Sequence, residues 1–238
     1  MEAPTKSPRA GSIRARVRAE MTEEIKQAAR RQLAVDGAPN LSLRAVARDL
    51  GVVSSAIYRY FASRDELLTA LIIDAYDSLG EATELAEAAT DRTDLLGRWY
   101  AACYGIRNWA LVHPHEYALI YGSPVPGYAA PPDTVGPATR PTVVLGRILH
   151  DGVAAGVLRA EPGEWLDPEV HAEVAGVAEA MGAGVPTTVM ARGLIAWTEV
   201  FGAVSFELFG RLNNVIDNRE AWFTHQIQAM ARLVGLHP

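Results

Sequence analysis

The chain has 238 residues, of which 49% are hydrophobic and 21% charged, the balance of a folded protein with room for a small module and a larger one rather than of a long disordered chain. Its one cysteine, Cys103, excludes an intrachain disulfide, a CxxC pair and a thiolate zinc site, and fits a reducing cytoplasm. The formal charge of −6 conceals an asymmetry: residues 1–60 hold eleven Lys/Arg against six Asp/Glu, a net +5, which leaves −11 on the remainder, so only the head is suited to a polyanion.

Val and Ile recur at three- and four-residue spacing among Ala, Leu, Glu and Arg rather than alternating with polar residues, which predicts an all-α chain. Residues 1–19, rich in Pro and Arg, are expected to form a flexible basic arm; with no apolar run behind it, the polar start predicts no secretory signal. A first helix follows, with Ile25, Ala28, Ala29 and Leu33 on one face and Gly37 beyond its end as the residue able to turn left-handed. Ser42 is placed to cap a short helix over residues 43–50, Gly51 stops it, and a second short helix is expected over 55–60. Two short helices about one glycine is helix-turn-helix spacing. Ser63-Arg64-Asp65-Glu66 then forms a capping box that opens a long helix to about Ala89.

In the body, Asp91 is expected to cap a helix carrying Leu95, Trp99, Cys103, Ile106 and Ala110 that ends at His113-Pro114, with a short helix over 117–120 behind it. Pro124, Pro126, Pro131, Pro132, Gly136 and Pro137 predict an extended loop from 122 to 141. Helices are expected at 142–155, after the Asp167-Pro168 cap, at 187–212 and at 219–234. Glu173, Glu179, Arg192 and Glu199 interrupt the most apolar stretches, so no membrane span is expected. The domain organisation read from these signals is a basic arm (1–19), a helix-turn-helix domain (20–66) and a larger helical body (67–238).

Leu41-Ser42-Leu43-Arg44-Ala45-Val46-Ala47-Arg48-Asp49-Leu50-Gly51-Val52, then Ala56-Ile57-Tyr58-Arg59-Tyr60-Phe61 and Ser63-Arg64-Asp65-Glu66-Leu67-Leu68, resembles the DNA-binding domain of TetR-family transcriptional regulators. Spacing agrees: Val46, Leu50, Val52, Ile57 and Phe61 can fill one small core, while a polar, basic and aromatic set projects outward. Arg can grip a guanine edge in a fork, whereas Ser, Tyr and helix amides hold phosphates. Carried over residue by residue, the resemblance makes Ser42, Tyr58, Tyr60 and Arg64 phosphate contacts and turns Arg44, Ser54, Ser55, Ala56 and Arg59 toward bases. Val53 stands where the family often has a Ser or Thr cap, so Ser54 is expected to take over capping. Arg9, Arg14, Arg16 and Arg18 read equally as a minor-groove arm or as a solvated tail.

Leu194-Ile195-Ala196-Trp197-Thr198-Glu199-Val200-Phe201-Gly202 is similar to the Trp-His-Gly signature of one subgroup of TetR-like ligand domains, with Phe201 in place of the His. The resemblance puts Trp197 beside an effector. The candidate effector set is Trp99, Cys103, Arg107, Tyr121, Trp197 and Phe201. Most such aromatics are simply core, and a cationic Arg107 on an apolar stripe needs either an anionic ligand or a carboxylate such as Glu116 or Glu199. No cofactor motif, metal spacing, GxSxG elbow or P-loop is present, so no cofactor, metal site or enzymatic activity is expected. The apolar content of the last two helices predicts a homodimer through them.

These readings converge on a cytoplasmic, ligand-responsive repressor that binds a pseudo-palindromic double-stranded operator as a homodimer and is released by a small apolar or aromatic molecule. The alternatives are an all-helical enzyme of unknown reaction, for which no acid-base or nucleophile set can be assembled, and a DNA-binding protein indifferent to sequence.

Overall fold

A computed structural model describes residues 9–181 and 184–237 and contains ten α-helices and no strand among them. The chain divides into two compact units. One takes in the chain to Asp74 with Ser123–Pro131, the other Ala75–Gly122 with the chain from Pro132. This division falls at Asp74, inside a helix.

In the first unit, α1 (Arg9–Asp36) precedes a 3-10 turn at Ala38–Asn40, α2 (Leu43–Asp49), α3 (Ser54–Ile57) and the start of α4 (Arg64–Ala88). The expected flexible arm is corrected here. Residues 1–8 lie outside the described residues, but from Arg9 the chain is already helical, because Ala, Arg and Glu dominate residues 14–20 and favour helix strongly. Arg16 and Glu20 add an i,i+4 pair at 3.5 Å. Gly37 ends α1 at φ 76° as expected. Ile25, Ala28, Ala29 and Leu33 are buried, together with Leu43, Val46, Ile57, Phe61, Leu67, Leu68 and Leu71, whereas Leu50 and Val52, expected in this core, are half-buried. Ser63 Oγ accepts from the Glu66 amide at 3.1 Å, and the Glu66 carboxylate accepts from the Ala62 amide at 2.6 Å, so the capping box forms with its return bond shifted one residue back. Lys26 and Arg30 of α1 both reach Asp74 of α4, at 2.7 and 2.5 Å.

The second unit is built from the rest of α4 with α5 (Leu95–Val112), α6 (Pro114–Tyr121), α7 (Val135–Ala154), α8 (Pro168–Met181), α9 (Thr187–Leu208) and α10 (Arg219–Val234). Three expectations need correction. Asp94, not Asp91, caps α5 by accepting from the Gly97 amide at 2.8 Å, while Asp91 accepts from the Thr93 amide in the turn before it. Helix α7 starts seven residues earlier than expected, at Val135 instead of 142. Pro137 sits in its first turn, where amides have no helical acceptor and proline costs nothing; Pro141 lies inside the helix, followed by thirteen further helical residues. Helix α9 stops at Leu208 rather than 212.

One apolar core joins α4, α5, α7, α9 and α10 through Leu79, Trp99, Ile106, Ile148, Val200, Val204, Phe223 and Ile227. By length and composition alone α9 is apolar enough to cross a membrane, contrary to expectation. Its buried residues Val189, Met190, Ala196, Val200, Phe201 and Val204 belong to that core, which accounts for its composition without a bilayer.

Candidate nucleic-acid interface and effector site

The turn between α2 and α3 is made by Gly51 at φ 66°, with nothing within 4 Å of where a Cβ would stand. Only glycine adopts this left-handed geometry without strain. The Val52 amide then donates to the Ala47 carbonyl at 2.9 Å, closing the turn. Ser42 sits at the N-cap of α2 in an extended conformation with its hydroxyl uncommitted to the helix, and its amide donates to Gln32 Oε1 at 3.1 Å. Val53 holds the N-cap of α3, and Ser54 is that helix's first residue. The expectation that Ser54 would cap is thus overturned, since Val53 already has the extended backbone that the position requires.

Around this turn Arg44, Arg48, Ser55, Tyr58 and Arg59 are exposed, while Ser42, Ser54, Ala56, Tyr60 and Arg64 are half-buried. The guanidinium groups of Arg44, Arg48 and Arg59 make no hydrogen bond or ion pair to any described residue. Arg31 is instead tied to Asp49 at 2.7 Å. Arg64, expected at a phosphate, is bonded within the protein. Its Nε donates to the Leu41 carbonyl at 3.1 Å, one terminal nitrogen to the carbonyls of Ala38 and Pro39 at 3.0 and 3.1 Å, and the other to Asp65 at 3.3 Å. It clamps the turn that delivers α2, so the planar fork is spent on the protein itself.

The six residues expected at the effector site separate into two groups. Trp99 and Cys103 are fully buried in the core; the Trp99 indole donates to the Ile227 carbonyl at 3.0 Å, and burial pushes the Cys103 thiol well above its ordinary range. Arg107 forms a buried bidentate pair with Glu207, two bonds of 2.8 Å, and stacks 5.3 Å from the Phe223 ring. The hydrogen bonds to Glu207 hold the Arg107 guanidinium firmly charged. Its partner is neither a ligand nor Glu116 or Glu199.

Tyr121, Trp197 and Phe201 do come together. Ring centroids lie 4.6 Å apart for Tyr121 and Phe201 and 6.2 Å apart for Trp197 and Phe201, with Tyr76 edge-on to Tyr121 at 6.0 Å. Tyr117 joins at 5.0 Å from Tyr121 and donates to the Phe201 carbonyl at 2.9 Å; burial pushes its phenol up to about 12. The Trp197 indole nitrogen is buried with no hydrogen-bond acceptor among the described residues, an orphaned donor that costs about 1–3 kcal/mol until something accepts from it. Tyr76 and Tyr117 were not among the expected residues. Tyr117 stands four residues before Tyr121, one helical turn away, a spacing visible in the sequence. Among the described residues no group of three or more His, Cys, Asp or Glu could hold a metal ion.

Comparisons with known proteins bear on both units. The family described as "Bacterial regulatory proteins, tetR family" matches residues 25–71, and "Tetracyclin repressor-like, C-terminal domain" matches residues 99–230. The HTH-type transcriptional regulator Rv1816 of Mycobacterium tuberculosis is 40% identical over 195 residues, 82% of this chain and 83% of the relative, and Mb1846 of Mycobacterium bovis matches equally. Among solved structures, the regulatory protein SCO4313 is 33% identical with a TM-score of 0.75, covering 94% of this chain and 98% of that one. The TetR-family regulator PfmR of Thermus thermophilus, at 16% identity and a TM-score of 0.57, shares the fold over 90% of this chain and 99% of its own. With a matching family over each unit and a 40%-identical regulator spanning most of its length, the chain belongs to the TetR family of DNA-binding, ligand-responsive transcriptional regulators.

Proposed function

We propose that the protein is a cytoplasmic repressor without enzymatic activity that reads a pseudo-palindromic operator as a homodimer. The observation that carries this reading is the set of three exposed guanidinium groups of Arg44, Arg48 and Arg59 around the Gly51 turn, unpaired among the described residues, with Ser55 and Tyr58 exposed beside them. Unpaired arginines on a helix-turn-helix suit guanine edges and phosphates, while Ser42, Tyr58 and Tyr60 suit phosphates alone. In this assignment Arg44, Ser54, Ser55, Ala56 and Arg59 face bases, and Arg64 is a positioning residue for α2.

Dimerisation through α9 and α10 is supported by the apolar side chains they leave uncovered: Ile195 is 55% exposed, Phe206 56% and Leu233 42%. Gly202 adds an open spot on α9, with nothing within 4 Å of where a Cβ would stand. The effector is proposed to be a small aromatic or apolar molecule carrying one acceptor oxygen, seated against Tyr121, Trp197 and Phe201 so that the oxygen takes the unpartnered Trp197 N–H. It releases DNA only to the extent that it prefers the released conformation, about 1.4 kcal/mol of preference per tenfold loss of affinity.

The test is a titration of labelled DNA from upstream of the protein's own gene, beside a scrambled duplex, with sedimentation of the complex. Selective binding of two protomers per site is expected. Equal affinity for both duplexes, or a monomer on the site, contradicts the proposal.

A further inference from the structure

Helix α1 starts at Arg9, well before residue 25 where the family match begins. The extra turns have a definite orientation. In the matched part, α1 buries Ile25 and Ala29. Arg18 stands seven residues before Ile25 and Arg14 eleven before it, and at 3.6 residues per turn both intervals return to the same face. The stripe that is apolar and buried further along is therefore continued by two exposed arginines.

Arg18 meets the DNA-reading segment. Its guanidinium lies 5.0 Å from the centroid of the Tyr60 ring, and one of its nitrogens donates to the Arg59 carbonyl at 3.2 Å. Arg14 lies one turn further along α1, about 6 Å, and makes no hydrogen bond or ion pair to a described residue. Arg16 falls on the opposite face and pairs with Glu20.

We propose that this N-terminal extension of α1 is a second DNA contact, in which Arg14 takes a backbone phosphate flanking the bases read by α2 and α3. Arg18 is a positioning residue that holds Tyr60 and the end of the recognition segment. The inference rests on the DNA reading proposed above. Duplex DNA is the occupant that fits, because the contact is continuous with that surface through Arg18 and Tyr60, and because the first sixty residues carry net +5 on a chain of −6. A helical arginine is also already ordered, so it forfeits less on binding than one on a disordered tail.

The test compares wild type, Arg14→Ala, Arg16→Ala and Arg44→Ala by anisotropy, on a duplex carrying the footprinted site with flanks and on one trimmed to its core. Arg14→Ala is expected to bind the flanked duplex about fivefold more weakly, with the slope of log K against log salt reduced by about one per protomer, whatever the flanking sequence. It should match wild type on the trimmed duplex, and Arg16→Ala should match wild type on both. Equal effects of Arg14→Ala and Arg16→Ala would mean bulk charge and overturn the contact, as would a silent Arg14→Ala. Should Arg14→Ala be silent while Arg44→Ala weakens binding, only this inference falls; should wild type bind no duplex selectively, or bind anionic vesicles instead, both readings fall.

For Arg18, substitution to Ala should weaken binding without lowering Tm, and Lys should restore most of it by keeping a cation over the ring. The effects of Arg18→Ala and Tyr60→Ala should be non-additive. Additive losses, or a fall in Tm matching the loss of affinity, would remove the positioning role.

Discussion

At the scale of single residues, the informative ones are the arginines that the protein keeps for itself. Arg107 and Glu207 are both nearly excluded from solvent. Removing one member strands the other charge, so Arg107→Ala should lower stability by about 3–5 kcal/mol, whereas the volume-matched pair Arg107→Met with Glu207→Leu should recover most of it. Thermal unfolding checks this; an unchanged Tm for Arg107→Ala would mean that the pair does not hold the body together. Glu207 was legible in principle, since it stands seven residues after Val200 and eleven after Ala196, on the buried stripe of α9. Glu199, the partner weighed from sequence, is exposed. Arg64 makes a similar case. A phosphate contact would tolerate Lys, but a fork spanning three carbonyls would not. Both Arg64→Ala and Arg64→Lys are therefore expected to lower Tm, by about 1–3 kcal/mol of stability, and full rescue by Lys would return Arg64 to the DNA-facing set.

At the scale of elements, the capping signals were read unevenly: Asp94 rather than Asp91 caps α5, and Val53 rather than Ser54 holds the N-cap of α3. Ser63 with Glu66, and Gly37 after α1, act where local chemistry points, and residues 219–234 match α10 in full. Proline misled the reading of α7, because Pro137 in a first turn costs nothing and Pro141 is tolerated inside. What holds those turns is tertiary: Arg140 donates to Glu84 at 3.0 and 2.7 Å and to Asp77 at 2.8 Å. Such a clamp cannot be seen from a local window.

The clamp has a pH signature. The Arg140 hydrogen bond holds the Glu84 carboxyl below its ordinary 4.5. A carboxylate whose pKa is depressed on folding stabilises the folded state above its unfolded pKa and loses that contribution as pH falls through the folded value. Tm should thus fall on acidification below about pH 4.5, and Arg140→Met should both lower Tm at neutral pH and shrink the acid-side decline. The effect is modest, since Glu84 is more than a third exposed. An acid limb unaltered by Arg140→Met would assign it to other carboxylates.

At the scale of the whole molecule, the charge asymmetry and the two-unit division describe one arrangement of labour: a basic reader and an acidic, aromatic body whose own charge is repelled by DNA. The fold class and the exposure of Arg44, Arg48, Ser55, Tyr58 and Arg59 around Gly51 were legible from sequence, because helical periodicity and the glycine turn are local signals. The aromatic cluster proposed for the effector was half legible. Tyr121, Trp197 and Phe201 converge, but Trp99, Cys103 and Arg107 face inward to α9 and α10, and which side of an apolar helix meets its neighbours is set by packing that no single helix encodes.

The most direct measurement is a loss-of-contact titration, pairing Arg44→Ala with operator duplexes in which each guanine of one half-site is replaced in turn. Wild type is expected to lose affinity by about 1–3 kcal/mol at the guanine that Arg44 reads, and Arg44→Ala to bind weakly and equally whichever base stands there. If Arg44→Ala instead retains the full discrimination of wild type at every position, the bases are read elsewhere and the account of the α2–α3 surface is wrong.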